Sequence, residues 1–389
     1  MTDKFDFIDI DLESRKHGNL LRRLRSIAPG PGPMVSLEGA ALINFCSNDY
    51  LGLSQHPLLR ERAAEFMERF GAGSTASRLI CGNISCVERV EEKLAALKGS
   101  EAALIMNAGY QSNVALLSTL ADRDALILSD AFNHNSLIRG ALLARCKIER
   151  FDHNDLTHLK ALLEASRKAK YSRVLIVTES VFSMDGDRCD VDALVQLAAD
   201  FNAILYVDEA HATGVIGHSG MGMTVGKNVD VVMGTFGKGL GGYGSYVACS
   251  KKVRDYLINR CYGFIYTTAL PPAVIGAVDA ALDLVPEMTD QRRKIHENAD
   301  YLRASLQAMG WNTGKSDTQI VPVVVGNERD TLSLSAHLEK NGLMATGIRP
   351  PTVPIGQSRI RLTLTALHTR QHVDHLIDAF HAWRPGNEQ

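Results

Sequence analysis

The chain has 389 residues, 45% of them apolar, 22% charged and 6% aromatic, a balance that supports a sizeable core and excludes intrinsic disorder and collagen-like repeats. Its 42 Lys and Arg against 44 Asp and Glu leave a formal charge of -2, which argues against a general polyanion binder, so no nucleic-acid partner is expected. Seven scattered cysteines without a Cys-x-x-Cys pair predict buried, reduced thiols rather than a disulfide frame or a thiolate metal site.

The first stretch, MTDKFDFIDIDLE, is acidic and has neither a basic nor an apolar targeting region. No apolar run approaches the roughly 20 residues that span a bilayer, so a cytoplasmic protein without a membrane partner is expected. Helices are predicted over 56–70 and 86–98; in the second, Val87, Val90, Leu94 and Leu97 share a face and Gly99 follows as a C-cap. From residue 100 on, β-rich runs alternate with helical stretches: AALIM (102–106), ALILS (125–129), RVLIVT (173–178), AILYV (203–207) and DVVMG (230–234). Apolar runs without polar alternation suit strands covered on both faces, as in a parallel sheet. The helical stretch VDALVQLAADFN follows Asp190, a predicted N-cap.

One helical stretch is predicted over about 272–309. After it, QIVPVVVG, a helix over 332–340, SRIRLTLT and a helix over about 371–383 form a smaller α+β unit. The fold class is therefore α/β, a doubly wound and mostly parallel sheet with a smaller C-terminal α+β domain. The expected organisation is an arm over 1–40, a large domain over 41–290 and a small domain over 291–389.

Three patterns lead away from the chemistry. Asp208-Glu209-Ala210-His211 spells a DEAH box, but the phosphate-cradling G-x-x-x-x-G-K-[ST] loop that an NTPase needs is absent upstream. Gly237-Lys238-Gly239-Leu240-Gly241-Gly242 contains G-x-G-x-x-G, yet a second strand, GSYVACS, follows it where a dinucleotide fingerprint requires a helix. His368, His372 and His375 have helical spacing without supporting carboxylates or thiolates, and read as exposed helix histidines rather than metal ligands; no metal is expected.

Ligands of doubly wound sheets sit at the carboxyl ends of the strands. There the sequence places Gly109 and Tyr110, His134, Glu179 and Ser183, Asp208 and His211, and Thr235 and Lys238. Pyridoxal phosphate needs all these residue types together: a lysine for its aldehyde, a carboxylate for its pyridine nitrogen, hydroxyl and N–H groups for its phosphate and a planar side chain over its ring. Lys238 suits the first need and Asp208 the second; Thr235 with Gly109 and Tyr110 suits the third, and His134 the last. Taken singly, each residue would be an ordinary turn, cap or half-buried polar group. Their joint occurrence at successive strand ends favours the cofactor.

Asn44 through Leu53, Thr178 through Asp187, Asp208 through Gly214 and Thr235 through Gly239 resemble the signatures of the α-oxoamine synthases, and the likeness runs from about residue 10 to about 383. These are fold-type I pyridoxal phosphate-dependent acyltransferases that condense an amino acid with an acyl thioester. The resemblance implies that Lys238 carries the cofactor and removes the Cα proton. Asp208 would pair with the ring nitrogen and His211 with the ring hydroxyl, while Ser183 also touches the cofactor. Gly109, Tyr110 and Thr235 would bind the phosphate, with Thr267 and Thr268 reaching a neighbouring subunit of a homodimer. Arg361 would take the amino-acid carboxylate, and Arg22, His134, Arg349 and Thr352 would contact substrate.

Ile348 through Pro354 and Arg359 through Thr365 are nearest to the members that join L-alanine to a pimeloyl thioester, on coenzyme A or a carrier protein, in biotin synthesis. Gly73 through Gly82 is nearer to the members that acetylate glycine, so an acyltransferase for glycine or serine stays open.

Overall fold

The computed structural model describes residues 3–384. It divides into two compact units. One holds residues 48–183 and 187–293, the other the residues up to 47, 184–186 and those from 294 on.

The larger unit is built on seven strands: β1 (Ala102–Met106), β2 (Leu126–Asp130), β3 (Lys147–Phe151), β4 (Val174–Glu179), β5 (Ile204–Asp208), β6 (Val231–Thr235) and β7 (Ser245–Cys249). Their order is β1-β7-β6-β5-β4-β2-β3, and β7 runs antiparallel to both neighbours while the other pairings are parallel. Every residue of β1, β2, β6 and β7 is buried, which is what their unbroken apolar runs anticipate. Strand β3 was not foreseen. It is an edge strand whose sequence, KIERF, buries only its last residue and so lacks the apolar signal of the others.

The helices follow local chemistry. Ser85–Lys98 buries Val87, Val90 and Leu94, leaves Leu97 half-buried and ends on Gly99 in the left-handed region at φ 64°. Each fully buried side chain of this kind is worth about 1.5–3 kcal/mol. Val191–Phe201 starts at Asp190, whose carboxylate accepts from the Ala193 N–H. The single helix expected over 272–309 is instead Pro272–Leu284, a 3₁₀ turn at Val285–Glu287 and Thr289–Ala308. Pro286 supplies no N–H to continue the α-helical ladder.

In the smaller unit Ile27–Pro29, Met34–Leu37 and Ala40–Asn44 form an antiparallel sheet, with Leu343–Met344 added parallel to Ala40–Asn44. A second sheet pairs Ser358–Thr363 with Ile320–Gly326 and Gly347–Ile348, flanked by helices Glu328–Lys340 and Arg370–Ala382.

Two expectations about single side chains are corrected. Cys81 is exposed and Cys46 and Cys146 are half-buried, although all seven thiols are free. His368 is fully buried and lies ahead of the last helix. Its ring stacks on Phe45 at 4.3 Å, Nδ1 accepts from the Thr365 N–H and Nε2 donates to the Asn44 carbonyl. Burial pushes this imidazole down to about 3, so it is a neutral core group. Among the described residues no helix is long and apolar enough to cross a membrane, and no group of three His, Cys, Asp or Glu side chains is placed to hold a metal ion.

Candidate active site

The carboxyl ends of β2, β4, β5 and β6 and the turns beyond them converge on a cavity of about 350 Å³. Gly109, Tyr110, His134, Asp208, His211, Thr235 and Lys238 all line it. Parallel register sets Glu179 of β4 beside Asp208 of β5, so two carboxyl groups end adjacent strands.

Asp208 accepts from Asn113 Nδ2 at 2.7 Å and from the Ala210 N–H at 2.8 Å. Asn113 is itself fixed by Tyr206, whose hydroxyl donates to Asn113 Oδ1 at 2.7 Å. A carboxylate has about four acceptor sites, so Asp208 retains room for a further donor. Glu179 accepts from the His134 N–H at 2.6 Å; burial, and then the charge of Asp208, hold its carboxyl well above the usual range. Burial likewise lowers the His134 imidazole, keeping it neutral.

Lys238 Nζ lies 2.7 Å from His211 Nε2, and His211 Nδ1 lies 2.6 Å from the Tyr50 hydroxyl. Tyr50 donates to Asn48 Oδ1 at 3.1 Å. The relay therefore has one consistent direction, from the ammonium through an imidazole protonated on Nδ1 to the tyrosine and the amide.

The opposite wall is shaped for an anion. Helix Gly109–Leu120 begins here, and the first N–H groups of a helix have no partner within it. Thr235 Oγ1 is buried without a hydrogen-bond partner. A Cβ at position 109 would come within 2.5 Å of Thr235 Cγ2, so only glycine lets the helix start approach that close. An orphaned hydroxyl, free N–H groups, an unsaturated carboxylate and a lysine in one cavity match the phosphate, ring nitrogen and aldehyde of pyridoxal phosphate.

Ser183 is buried beyond the end of β4 and does not line the cavity. Thr267 and Thr268 are gripped by Asn107, whose Nδ2 donates to the Thr268 carbonyl at 2.7 Å and to Thr267 Oγ1 at 3.2 Å. In the smaller unit Arg22 donates to Thr352 Oγ1 at 3.5 Å, Arg349 donates to the Asn19 carbonyl, and Arg361 is buried on Ser358–Thr363.

Sequence reasoning missed Asn113 and gave Tyr50 no role. Asn113 carried a weak signal, since a polar residue four positions after Gly109 shares the helix face that Gly109 turns to the site. Glu209 of the DEAH string is excluded from nucleotide chemistry: it is fully buried and bound by Lys98, the Thr224 hydroxyl and the N–H groups of Met223 and Thr224.

Residues 40–380 match the model of the family described as aminotransferase class I and II. A Desulfosudis oleivorans relative, provisionally named an 8-amino-7-oxononanoate synthase, is 60% identical over 381 residues, covering 98% of this chain and 99% of its own. The 8-amino-7-oxononanoate synthase of Gluconacetobacter diazotrophicus is 50% identical over 386 residues, covering 97% of this chain and 96% of its own. A serine palmitoyltransferase variant from S. paucimobilis, solved with bound PLP–myriocin, superposes with a TM-score of 0.91 at 27% identity over 98% of both chains. With the strand-end site and these full-length likenesses, the chain belongs to the aminotransferase class I and II family, and within it to the fold-type I, pyridoxal phosphate-dependent α-oxoamine synthases.

Proposed function

We propose that this chain condenses L-alanine with a pimeloyl thioester, carried on coenzyme A or a carrier protein, to give 8-amino-7-oxononanoate with release of CO2 and the free thiol. The observation that carries the reading is the single cavity shared by Lys238, Asp208, the N-terminus of Gly109–Leu120 and the orphaned Thr235 hydroxyl. The names of the full-length relatives support the choice of substrates.

Pyridoxal phosphate, when bound, supplies the electron sink that accepts charge from Cα as a proton or CO2 departs. In this reading Asp208 keeps the ring nitrogen protonated with its spare acceptor capacity. Thr235 and the N–H groups at Gly109 and Tyr110 hold the phosphate, and neutral His134 covers the ring. Lys238 anchors the cofactor and then removes the Cα proton, its amine oriented by His211 and Tyr50. Arg361 is assigned to the substrate carboxylate, for which a planar guanidinium fork is suited. Arg22, Arg349 and Thr352 are assigned to substrate, Ser183 to the cofactor, and Thr267 and Thr268 to a neighbouring subunit's phosphate.

A cytoplasmic homodimer is part of the reading. Tyr243, Tyr262 and Tyr266 are 57%, 69% and 80% exposed in the single chain, the kind of aromatic surface a partner covers, and seven free thiols suit a reducing compartment.

The test is the mass of the product formed from L-alanine and pimeloyl-CoA by the pyridoxal phosphate-loaded protein, with Lys238→Ala expected to make none. Preference for glycine or serine with another acyl-CoA would replace this reading with that of a sister acyltransferase.

A further inference from the structure

His153 lies outside the cavity, just beyond edge strand β3, and its side chain is only 16% exposed. Its Nδ1 is 3.0 Å from Asp130 Oδ1 and its Nε2 is 2.8 Å from Asp187 Oδ2. An imidazole that meets carboxylates through both nitrogens satisfies both only when each carries a proton. Phe132 stacks on the ring at 4.2 Å and Phe182 meets it edge-on at 4.4 Å.

The two carboxylates belong to different turns. Asp130 ends β2 and shapes the turn into His134, its Oδ1 accepting from the Phe132 N–H at 2.8 Å and its Oδ2 from the Asn154 N–H at 2.9 Å. Asp187 closes the turn that begins at Phe182 and Ser183, its carbonyl accepting from the Phe182 N–H at 3.0 Å. Its carboxylate also accepts from Asn154 Nδ2 at 3.0 Å, while Oδ1 is buried without a partner.

We propose that His153 is a positioning residue that, as an imidazolium, clamps together the turn that delivers His134 and the turn that delivers Ser183 by donating one ring N–H to Asp130 and the other to Asp187. The functional importance of the clamp rests on the reading that these two turns serve the cofactor.

Deprotonation would set a lone pair against one carboxylate and break the link on which both turns depend. The two carboxylates outweigh burial and raise the imidazole to about 9 from its ordinary 6.5. The clamp is thus fully made below pH 6.5 and lost as pH rises through about 9. Asp130 also acts on Glu179 on β4 and on Cys189, both pushed up mainly by burial with Asp130 adding to it, and so held toward their neutral forms.

The experiment is amide hydrogen exchange of the pyridoxal phosphate-loaded full chain, read as protection factors for 129–136 and 180–190 between pH 7 and 10.5, with KM for the amino acid measured alongside. Wild type should lose at least tenfold of the protection in both segments with a midpoint near 9. His153→Asn should show the low values at every pH with a raised KM, and His153→Arg, a cation that does not titrate here, should remove the pH step. Should His153→Asn fail to fold, Asp187→Asn should move the midpoint down. Protection of wild type that is unchanged to pH 10.5, or turns as well protected in His153→Asn as in wild type, would overturn the clamp. Exchange reads the turns directly, so this outcome is independent of which product the chain makes.

Discussion

Asp208 and Glu209 are consecutive, buried to nearly the same degree and chemically alike, yet they sit in opposite circumstances. Glu209 accepts from four groups, Lys98, the Thr224 hydroxyl and two backbone N–H groups, which fills the capacity of a carboxylate. Lys98 is equally enclosed, donating also to the Met221 carbonyl and lying under the Tyr246 ring. Asp208 accepts from two groups only and faces the cavity, where Lys238 is met by His211. A saturated ion pair is architecture, because any new ligand would have to displace a partner. An acceptor left half-used at a cavity wall is where chemistry can attach.

Removing one member of each pair breaks the comparison most severely. Lys98→Met strands a buried charge at Glu209 and should destabilise the larger unit by about 3–5 kcal/mol. The double variant Lys98→Met with Glu209→Leu should recover much of that loss, since apolar replacement of a whole buried pair is often neutral or favourable. Denaturant unfolding of both variants decides the point; a loss under 1 kcal/mol for Lys98→Met would mean that the pair is not the saturated cage described.

Asp208→Asn should do the reverse. Turnover should fall by about 10²–10³-fold, the scale seen when one preorganised electrostatic partner is removed. Stability should fall by about 1–3 kcal/mol, less than for Lys98→Met, because the amide oxygen still accepts one of the two hydrogen bonds while the amide NH2 leaves the second donor unmet. Steady-state rates with L-alanine, read beside the same unfolding curves, test both halves. Equal stability losses for Asp208→Asn and Lys98→Met would erase the distinction between the two carboxylates.

How far this was visible in the sequence follows from the same physics. Strands β1, β2, β4, β5, β6 and β7 were legible because covered strands read as apolar runs, and the polar residue ending each of β2, β4, β5 and β6 marks the ligand side of the sheet. Lys238 and Asp208 stood out by position and residue type together. Asn113 and Tyr50 did not, because their partners Asp208 and His211 lie 95 and 161 residues away in the chain. His368 was misread as exposed because its place depends on Phe45, which the sheet alone brings beneath it. The opposite fates of Asp208 and Glu209 left no trace in the string of letters, since saturation depends on Lys98 and Thr224 arriving from remote segments.

The finest division between architecture and chemistry runs through Thr235. Its methyl group packs against Gly109, while its buried hydroxyl meets no protein partner. A threonine there is an imperfect core residue, since an unsatisfied buried hydroxyl costs about 1–3 kcal/mol. Thr235→Val keeps the shape and removes the hydroxyl. The cofactor-free protein should therefore be more stable by up to about 1 kcal/mol, the low end of that range because the cavity admits water. Pyridoxal phosphate should bind about 10–100-fold more weakly, the loss of one hydrogen bond to a charged group at about 1.5–3 kcal/mol. Denaturant unfolding without the cofactor and an absorbance titration with it give the two numbers. Opposite signs identify a residue whose stability is sacrificed to ligand binding, whereas a loss in both would return Thr235 to the same class as Glu209.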